Sequence, residues 1–485
     1  MAMIADDARS YFKCKPYDHQ VEAHKLARDR DAFAFLMEMG TGKSPCLTSV
    51  MAYQHARGKI NAALILAPKS VCRTWVDEQL PKHYPDHGFQ PLVKLWTNST
   101  TKRDLDSLNE MFRPCQSLKV LVMNIEALST PKGFKYAERY VRAHHALVAV
   151  DESTRIKSNT AARTKNAIKL SRLAKSRFIL TGMPITQSPL DIFSQYDFLD
   201  HSFLGYSNFF SFKARYAELR RRVINGKSFD EIVGYQRLDE LQELVLRNGY
   251  RKLKSECLDL PEKIYAPDRS VQLGDLQRKY YEQMRDDAII QLEGQAVTAP
   301  LVMTQLLRLR QVLCGVVPAL LDDHKSILLA ENPRMTELEN VVEEVEGKVL
   351  IWCSFVPIIR EICKQLGDSA VAFYGDVSQE ARQYAINEFQ DPNSHTRFFV
   401  GQVHTGGIGL NLTAARTVIY YDNDWSLEAR AQSEDRAHRI GQEGHVTYIN
   451  LVAPGTVDEM ILKALKGKKS LADQVTGDGW RSVFK

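Results

Sequence analysis

The clearest indication of the fold is the segment Ala32-Phe33-Ala34-Phe35-Leu36-Met37-Glu38-Met39-Gly40-Thr41-Gly42-Lys43-Ser44. Its first six residues are apolar, as in a buried strand, and a helical segment follows the last. Glycines at 40 and 42 allow backbone N–H groups to turn inward around phosphate oxygens. Lys43 is then placed for the β- and γ-phosphates, and the Ser44 hydroxyl for Mg²⁺. The sequence therefore predicts an ATP phosphate loop over Gly40, Thr41, Gly42, Lys43 and Ser44, although Met37 replaces the usual leading glycine.

A second chemical signal stands at the end of a later apolar run. Asp151 and Glu152 directly follow Ala146–Val150, which has the composition of a buried strand. A carboxylate there can bind Mg²⁺ through water, and its neighbour can orient and deprotonate the attacking water. We therefore assign the metal to Asp151 with Ser44, and water activation to Glu152. The alternative is an acidic helix cap favoured by the helix dipole.

Apolar runs that alternate with amphipathic helices indicate an α/β fold with parallel sheets in both halves of the chain. The predicted strands are Ala62–Ala67, Lys119–Met123, Ala146–Val150, Arg177–Leu180, Lys348–Cys353, Ala370–Tyr374, Thr396–Val400, Thr417–Tyr421 and Val446–Leu451. Between the halves, Leu238–Leu244 and Leu301–Leu313 have helical apolar spacing. We expect an ATP-binding lobe over 1–202, helical insertions and a linker over 203–329 with a break near 260, and a second lobe over 330–485.

The composition narrows the class of protein. Hydrophobic content of 44% and charged content of 25% are typical of soluble globular proteins, and the eight cysteines form no C-x-x-C pair. There is no secretory signal and no apolar run of the roughly 20 residues that span a bilayer, so we expect a cytoplasmic, nucleoid-associated or nuclear protein.

The net charge of +5 favours nucleic acid only weakly. Residues 154–178 lack acids and suit phosphate contact, with a solvated helix face as the alternative; their basic residues are Arg155, Lys157, Arg163, Lys165, Lys169, Arg172, Lys175 and Arg177.

Several further segments occur in a fixed order around the phosphate loop. They are Lys15–Gln20, Met37–Ser44, Ala67–Ser70 with Trp75 and Glu78, Asp151–Ser158 and Leu180–Ile185. In this order they resemble the glutamine motif and motifs I, Ia, II and III of the Swi/Snf family of superfamily-two helicase-like ATPases. The resemblance implies two RecA-like lobes that track along duplex DNA, with ATP and Mg²⁺ as cofactors.

The second half carries the segments most specific to that family. His404–Leu412 is similar to motif V, and Asp422–Trp425 leads into Gln432–Gln442, which is similar to motif VI. The ending Ile440-Gly441-Gln442 separates this family from most other helicase groups. Two more segments have family counterparts, Val457–Glu459 and the arginine-rich Leu306–Gln311.

The resemblance and the chemistry together assign roles at the nucleotide. Arg436 and Arg439 lie three residues apart, so on a helix both would face one cleft and reach the γ-phosphate from the second lobe. The resemblance favours Arg439 as the arginine finger, and an ion pair with Glu434 or Asp435 is the alternative for one of the two. Gln20 would read the adenine edge through its amide. The remaining assignments are Gly409 to the nucleotide, and Thr181, Gly182 and Gln432 to coupling.

By the same resemblance, motifs Ia, IV and V contact the sugar-phosphate backbone. Their hydroxyl, amide and N–H groups suit phosphate oxygens without choosing a base sequence. The candidates are Lys69, Ser70, Ser354, His404, Thr405 and Asn411. Ordinary turn formation is the alternative for each. Arg251, Lys252 and Lys254 are further candidates for backbone contact, with exposed surface charge as their alternative.

The chain departs from the family pattern in motif II, where Ser153-Thr154 replaces a common alanine-histidine pair. The carboxylates remain, so hydrolysis should persist, and the missing histidine bears on how strongly nucleic acid is coupled to hydrolysis. We recognise no appended module, and therefore expect a minimal two-lobe motor that works as a monomer.

These features predict an ATP-dependent translocase on double-stranded DNA that hydrolyses ATP to ADP and phosphate without separating the strands. An annealing or fork-remodelling helicase and an RNA polymerase-recycling factor are the alternative enzymes. A DNA-clamping scaffold with a vestigial ATPase is the non-enzymatic alternative. Double-stranded DNA is the expected partner, and DNA-processing or transcription proteins are further candidates.

Overall fold

The computed structural model describes residues 7–86, 90–98, 101–224, 227–294, 299–318, 326–403 and 410–476. Two compact units are present: one contains the chain up to Leu258, and the other covers Asp259–Gly467. Each unit is built on its own seven-stranded parallel sheet with helices packed against it, which confirms the predicted α/β fold. Within the described ranges, no helix is long and apolar enough to cross a membrane.

The sheet of the first unit has the strand order β3-β4-β2-β5-β6-β1-β9, and all neighbouring strands are parallel. Its central strands are buried along their whole length, because helices cover both faces. Strands β7 and β8 form a separate antiparallel ribbon. The strands are β1 Ala32–Met37, β2 Ala62–Ala67, β3 Leu92–Leu95, β4 Lys119–Asn124, β5 Ala146–Asp151, β6 Ser176–Leu180, β7 Ala217–Ile224, β8 Lys227–Tyr235 and β9 Gly249–Lys252.

Two apolar cores lie on opposite faces of this sheet. The face with Phe33, Phe35 and Met37 packs against α1 and α2, and the opposite face packs against α6, α7 and α8. The helices of this unit are α1 Asp18–Ala27, α2 Lys43–Ala56, α3 Lys69–Thr74, α4 Leu80–His83, α5 Lys102–Asn109, α6 Pro131–Ala143, α7 Ala162–Ser171, α8 Ile192–Leu199, α9 Phe209–Tyr216 and α10 Leu238–Arg247. This layering leaves the carboxyl ends of the strands for ligands.

The second unit repeats the design with the strand order β10-β18-β17-β14-β16-β15, and β11 pairs with β18 as well. Its strands are β10 Lys263–Tyr265, β11 Arg269–Ser270, β12 Val316–Pro318, β13 Ser326–Leu328, β14 Lys348–Trp352, β15 Ala370–Phe373, β16 Phe398–Gly401, β17 Ala415–Tyr420 and β18 Val446–Val452. The helices in this part of the chain are α11 Asp275–Gly294, α12 Ala299–Leu313, α13 Pro333–Glu344, α14 Val356–Leu366, α15 Gln379–Gln390, α16 Leu427–Ala437 and α17 Val457–Thr476.

All nine predicted strands are present, each within two residues of its predicted ends. The two predicted helical segments lie within α10 and α12. The charged region between the lobes differs from a purely helical insertion, because it supplies strands to both sheets: β9 pairs with β1, and β10 pairs with β18. These strands are only three or four residues long, too short for an alternating pattern to stand out.

Candidate nucleotide and nucleic-acid site

The phosphate loop lies between β1 and α2, as predicted. Gly40 and Gly42 have φ angles of 83° and 92°, which residues other than glycine rarely adopt. Helix α2 begins at Lys43, so its first N–H groups are directed toward the loop. The Lys43 ammonium donates to the carbonyl of Met37 at 3.0 Å. The loop thus gathers N–H groups and a cation at the carboxyl end of a central strand.

Gln20 holds this loop from the side of α1. Its Nε2 donates to the carbonyl of Thr41 at 3.1 Å, and its Oε1 accepts from the N–H of Tyr17. The ring of His19 donates to the same Thr41 carbonyl at 2.7 Å. A Cβ built at Gly42 would lie only 2.0 Å from Nε2 of Gln20. Both ends of the Gln20 amide are therefore engaged with protein, and its contact with adenine stays a prediction.

Asp151 ends β5 as a buried carboxylate. Its Oδ2 accepts a 2.8 Å hydrogen bond from the indole N–H of Trp75, and its Oδ1 accepts from the N–H of Glu152. Burial raises the pKa of Asp151, while the Trp75 bond and the positive charge of Lys43 oppose the rise. The Lys43 charge acts on Asp151 because the β1 and β5 ends lie at the same sheet edge. The sequence analysis placed Trp75 in motif Ia and did not predict its hydrogen bond to Asp151. A buried indole N–H needs an acceptor, and this requirement could have indicated the bond.

Glu152 has a left-handed backbone, with φ 51° and ψ 63°. Residues other than glycine, asparagine and aspartate seldom adopt this conformation, which costs about 1–3 kcal/mol and tends to occur at functional sites. Its side chain makes no capping hydrogen bond to the short 3₁₀ helix Ser153–Ile156 that follows. The side chain therefore does not act as a cap of this short helix, and the role of Glu152 in water activation stays a prediction.

Ser153, the departure in motif II, is completely buried and donates to Oε1 of Gln195 at 2.6 Å. Nε2 of Gln195 donates to the carbonyls of Pro184 and Asp191 at 2.7 and 2.8 Å. The serine therefore links motif II to the segment that follows motif III. Gln195 was not among the predicted residues, because a lone glutamine in α8 carries no sequence signal.

Motif III packs directly against the phosphate loop. The N–H of Thr181 donates to the carbonyl of Phe35 at 3.1 Å, which extends the pairing of β6 with β1. A Cβ built at Gly182 would lie 3.1 Å from the backbone nitrogen of Met39. A movement of the loop would therefore displace Thr181 and Gly182, and their coupling role stays a prediction.

Arg251 and Lys254 do not form an exposed charged surface, contrary to the alternative considered for them. Nη1 of Arg251 donates to the carbonyls of Leu36 and Gly182 at 3.0 and 2.9 Å. Lys254 is only 4% exposed, and its backbone N–H donates to Oε2 of Glu38 at 2.8 Å. The pairing of β9 with β1 turns this segment inward against the phosphate loop, so it supports the loop. Lys252 is partly buried as well, with its ammonium 3.8 Å from the carboxylate of Glu256.

The basic block is divided between inward and outward side chains. Lys157 contacts the hydroxyl of Thr186 and lies 3.9 Å from Asp191, so it supports the motif III segment. The exposed members are Arg155, Lys165, Lys169, Arg172 and Lys175. Contact of these exposed cations with a phosphate backbone stays a prediction.

The donor set fits ATP and Mg²⁺. The positive φ angles of the loop, its N-terminal helix position and the Lys43 ammonium suit three phosphate groups. Among the described residues there is no group of three or more acidic, histidine or cysteine side chains that could hold a metal alone. Mg²⁺ is commonly held by one or two protein groups, with water and phosphate oxygens completing its coordination. Ser44 and the buried Asp151 carboxylate match that requirement.

In the second unit, Arg436 and Arg439 do not lie on the same helix, so this prediction was wrong. Helix α16 ends at Ala437, and Arg439 lies in the turn beyond it, where Nη1 donates to the carbonyl of Leu410 at 2.9 Å. The amide Nε2 of Gln442 lies 3.0 Å from the carbonyl of Ala437 and terminates the helix. Burial lowers the pKa of Arg439, and nearby Asp435 opposes this.

Glu434 is committed to a network other than the ion pair considered for the arginines. Lys263 lies 3.1 Å from Glu434 and 3.7 Å from Asp435, and Arg430 donates to Glu434 at 2.9 Å. Burial favours the neutral acid, but Lys263 and Arg430 outweigh it and lower the pKa of Glu434 to about 2. Gln432, two residues earlier in α16, is partly exposed and donates to Glu428.

Ser354 follows β14 and belongs to a buried polar network. Nη2 of Arg310 donates to its hydroxyl at 2.9 Å and to Asp422 at 2.8 Å, and the Ser354 N–H donates to Asp422 at 2.7 Å. Arg310 also pairs with Asp424 at 3.0 Å. The arginine-rich segment of α12 thus fixes the strand end at which motif IV was predicted to contact nucleic acid.

The other predicted nucleic-acid residues fall into two groups. Lys69 and Ser70 are exposed at the start of α3, directly after β2, and Asn411 is exposed before β17. His404 and Thr405 lie outside the described residues, as does Gly409, which was assigned to the nucleotide. The exposed side chains of Lys69, Ser70 and Asn411 are accessible to phosphate oxygens, and their contact with nucleic acid stays a prediction.

Fold and site together define a two-unit α/β protein with a phosphate loop and an acidic pair in the first unit and a motif VI segment in the second. Residues 26–316 match the family described as "SNF2-related domain", and residues 333–441 match "Helicase conserved C-terminal domain". The first match alone covers more than half of the chain. The chain therefore belongs to the SNF2-related family of helicase-like ATPases, as the sequence resemblance predicted.

Individual relatives agree with this family. The chain is 26% identical over 451 residues to an uncharacterized ATP-dependent helicase of Mycoplasma pneumoniae, covering 90% of this chain and 39% of that protein. It is 28% identical over 456 residues to a putative ATP-dependent helicase/translocase of Bacillus subtilis, covering 90% of this chain and 46% of that protein. The chain thus spans less than half the length of these curated relatives.

A solved structure with similarity to the chain is the Sulfolobus solfataricus SWI2/SNF2 ATPase core in complex with dsDNA. It is 23% identical, with a TM-score of 0.44, and the similarity covers 98% of this chain and 96% of that one.

Proposed function

We propose that this chain is a nucleic-acid-dependent ATPase that moves along double-stranded DNA without separating its strands. The observation that carries the proposal is the phosphate loop with Lys43 beside the buried Asp151 carboxylate, in a chain that also has the family's second, arginine-bearing domain. The descriptions of relatives as ATP-dependent helicases support the use of ATP.

Each group has a defined task in the proposed hydrolysis. The loop N–H groups and Lys43 bind the β- and γ-phosphates, and Ser44 and Asp151 would hold Mg²⁺, which would neutralise charge on the phosphates. Glu152 orients the attacking water and accepts its proton. Arg436 and Arg439 stabilise the charge that develops on the transferred phosphoryl group.

The nucleic-acid contacts complete the proposed cycle. Lys69, Ser70 and Asn411, together with Ser354, His404 and Thr405, would hold the sugar-phosphate backbone through hydroxyl, amide and N–H groups. Such contacts are independent of base sequence, as a protein that moves along DNA requires. Thr181, Gly182 and Gln432 would transmit the nucleotide state to these contacts. A chain acting as a monomer, located with the DNA of the cell, fits this role.

The first test is the steady-state rate of ATP hydrolysis with no nucleic acid, duplex DNA, single-stranded DNA and RNA. We expect the largest stimulation with duplex DNA. Displacement of the third strand from a DNA triplex would then report movement along the duplex. Equal hydrolysis rates in all four conditions would refute the motor, and strand separation on a fork without triplex displacement would favour the fork-remodelling alternative.

Variants of the site test the assigned roles. Lys43→Ala should remove ATP binding, and Glu152→Gln should retain binding while hydrolysis falls by about 10²–10⁴-fold, the usual contribution of a general base. Lys59→Ala is a matched control. Lys59 lies just after α2, and its ammonium pairs with Asp31, so its loss removes a lysine that has no assigned role in the site. Unchanged hydrolysis in Glu152→Gln would refute the role of general base assigned to Glu152.

A further inference from the structure

The chain between β9 and β10 is attached at each end to a segment that carries nucleotide chemistry. Together with the last two residues of β9 and the first residue of β10, it runs from Arg251 in the first unit to Lys263 in the second, and different residues make the attachments at its two ends. We call residues 251–263 the connector. Arg251 and Lys254 support the phosphate loop and Lys263 pairs with Glu434, but no role discussed above connects the two ends of this segment.

The first attachment is to the residue that opens the phosphate loop. The N–H of Glu38 donates to the carbonyl of Lys252 at 2.9 Å, and the Glu38 carboxylate accepts from the N–H of Lys254 at 2.8 Å. The Lys254 side chain is buried, with its Cε 3.5 Å from a Cβ built at Gly40. A shift of the phosphate loop would therefore displace the first end of the connector.

The second attachment is to the helix that carries Arg436. Nε2 of His438, at the end of α16, lies 2.7 Å from the carbonyl of Pro261. The ammonium of Lys263 lies between Glu434 and Asp435, and Tyr265 donates to Glu434 at 2.8 Å. Because the Glu434 and Asp435 carboxylates are buried, the connector cannot move here without moving α16 or leaving a buried charge without Lys263, which is costly.

We propose that Glu38 and Lys263 are positioning residues at the two ends of one connector, through which the state of the phosphate loop sets the orientation of the arginines in motif VI. The inference rests on the proposed ATPase function and deepens it. Six residues, 255–260, separate the two attachments, and Asp259 among them is exposed. Because the reach of a flexible chain grows with its length, residues added to this segment would loosen the link between its two ends.

The direct test is to lengthen the connector while both attachments remain intact. Gly-Ser-Gly-Ser inserted after Asp259 should leave the folding of each unit unchanged. The same four residues inserted after Pro392, in the exposed turn between α15 and β16, form the control. Hydrogen exchange of both full-length proteins and the parent chain is measured with and without a non-hydrolysable ATP analogue.

In the parent and the control, the analogue should slow exchange in the phosphate loop and in α16. In the variant with the lengthened connector, the analogue should slow exchange in the phosphate loop but not in α16. A response of α16 in the lengthened protein, or its absence in the parent, would overturn the connector proposal while the loop response upholds the nucleotide site. No response of the loop in the parent would refute the nucleotide site, and the connector with it.

A kinetic test addresses Lys263 alone. Lys263→Met should lower the kcat of ATP hydrolysis about tenfold with little change in the KM for ATP, because the arginines act on the transition state. Lys263→Arg should restore kcat by re-forming the pair with Glu434. Lys364→Met removes an exposed lysine that pairs with Glu361 in the same unit and is the control. Equal kcat in Lys263→Met and the control would contradict the positioning role.

Discussion

The hydroxyl of Ser153 donates a 2.6 Å hydrogen bond to the carboxamide oxygen of Gln195, which lies 42 residues further along the chain. This bond is the structural result of the departure in motif II. Since Gln195 also binds the carbonyls of Pro184 and Asp191, a single buried amide joins the acidic pair to the segment after motif III. A small residue without a hydroxyl would leave that amide oxygen unpaired.

We therefore expect Ser153→Ala to lower the free energy of unfolding by about 1–3 kcal/mol, the cost of a buried acceptor without a partner. Ser194→Ala is the matched control, because the buried hydroxyl of Ser194 has no hydrogen-bond partner within the described part of the chain. Urea unfolding of both variants gives the comparison. An equal effect of the two substitutions would show that the Ser153–Gln195 bond adds no stability.

The phosphate loop should tolerate no side chain at Gly42. Gly42→Ala meets both a positive φ and the Gln20 amide at 2.0 Å, so we expect ATP affinity to fall at least tenfold. Gly58→Ala shares the positive φ but has open space around its Cβ, and should cost only about 1 kcal/mol of stability with ATP binding intact. Binding of a fluorescent ATP analogue distinguishes the two. Equal ATP affinity in both variants would argue against the Gln20 contact.

His24 should make the first unit sensitive to acid. Burial, and secondarily the charge of Arg28, lower the pKa of His24 to about 4, so the unfolded chain binds a proton first as the pH falls below about 6.5. Stability should therefore decrease from pH 6.5 to pH 4 by about 3 kcal/mol and change no further through this group. His24→Gln should remove that slope in urea unfolding curves. A slope that persists in the variant would assign it to other groups.

The amide of Gln442 should be essential for the second unit. Its Nε2 lies within hydrogen-bond distance of the carbonyls of Thr413, Ala415 and Ala437, and its Oε1 accepts from Arg416. Gln442→Ala should cost about 3 kcal/mol or more, because several buried groups lose their partner. Thermal unfolding measures the loss.

The matched control for Gln442 is Gln383→Ala, which removes an exposed amide on α15. It should change the melting temperature little. Since Arg439 lies between the end of α16 and Gln442, we expect Gln442→Ala to reduce ATP hydrolysis as well. A variant with parent-like hydrolysis would show that the position of Arg439 does not depend on this turn.

The sequence contains most of the fold because the central strands are continuous apolar runs. Ala32–Met37 and Ala62–Ala67 were located to the residue, since strands buried on both faces can hold almost nothing else. The ribbon of β7 and β8 was missed because both strands are charged and exposed. The Asn225-Gly226 pair between them in the sequence is typical of hairpin turns, but the strands were sought by their apolar pattern alone and the hairpin was not predicted.

The site was predictable where chemistry follows local order, and not where it depends on distant partners. The placement of Lys43 and Asp151 follows from the strands that precede them. The roles of Trp75 and Arg251 depend on strand neighbours far along the chain, so no local pattern indicates them. The end of α16 before Arg439 depends on the amide of Gln442 folding back on the helix.

The left-handed backbone of Glu152 has a consequence for directed evolution of this protein. Glycine or asparagine at this position would relieve about 1–3 kcal/mol of strain, so a library selected for heat resistance alone should enrich them. The same library screened for ATP turnover should recover glutamate. With the role proposed for Glu152, selection for thermostability and selection for ATP turnover would favour different residues at this position, and a lineage selected for heat resistance alone is expected to lose ATP hydrolysis through this substitution.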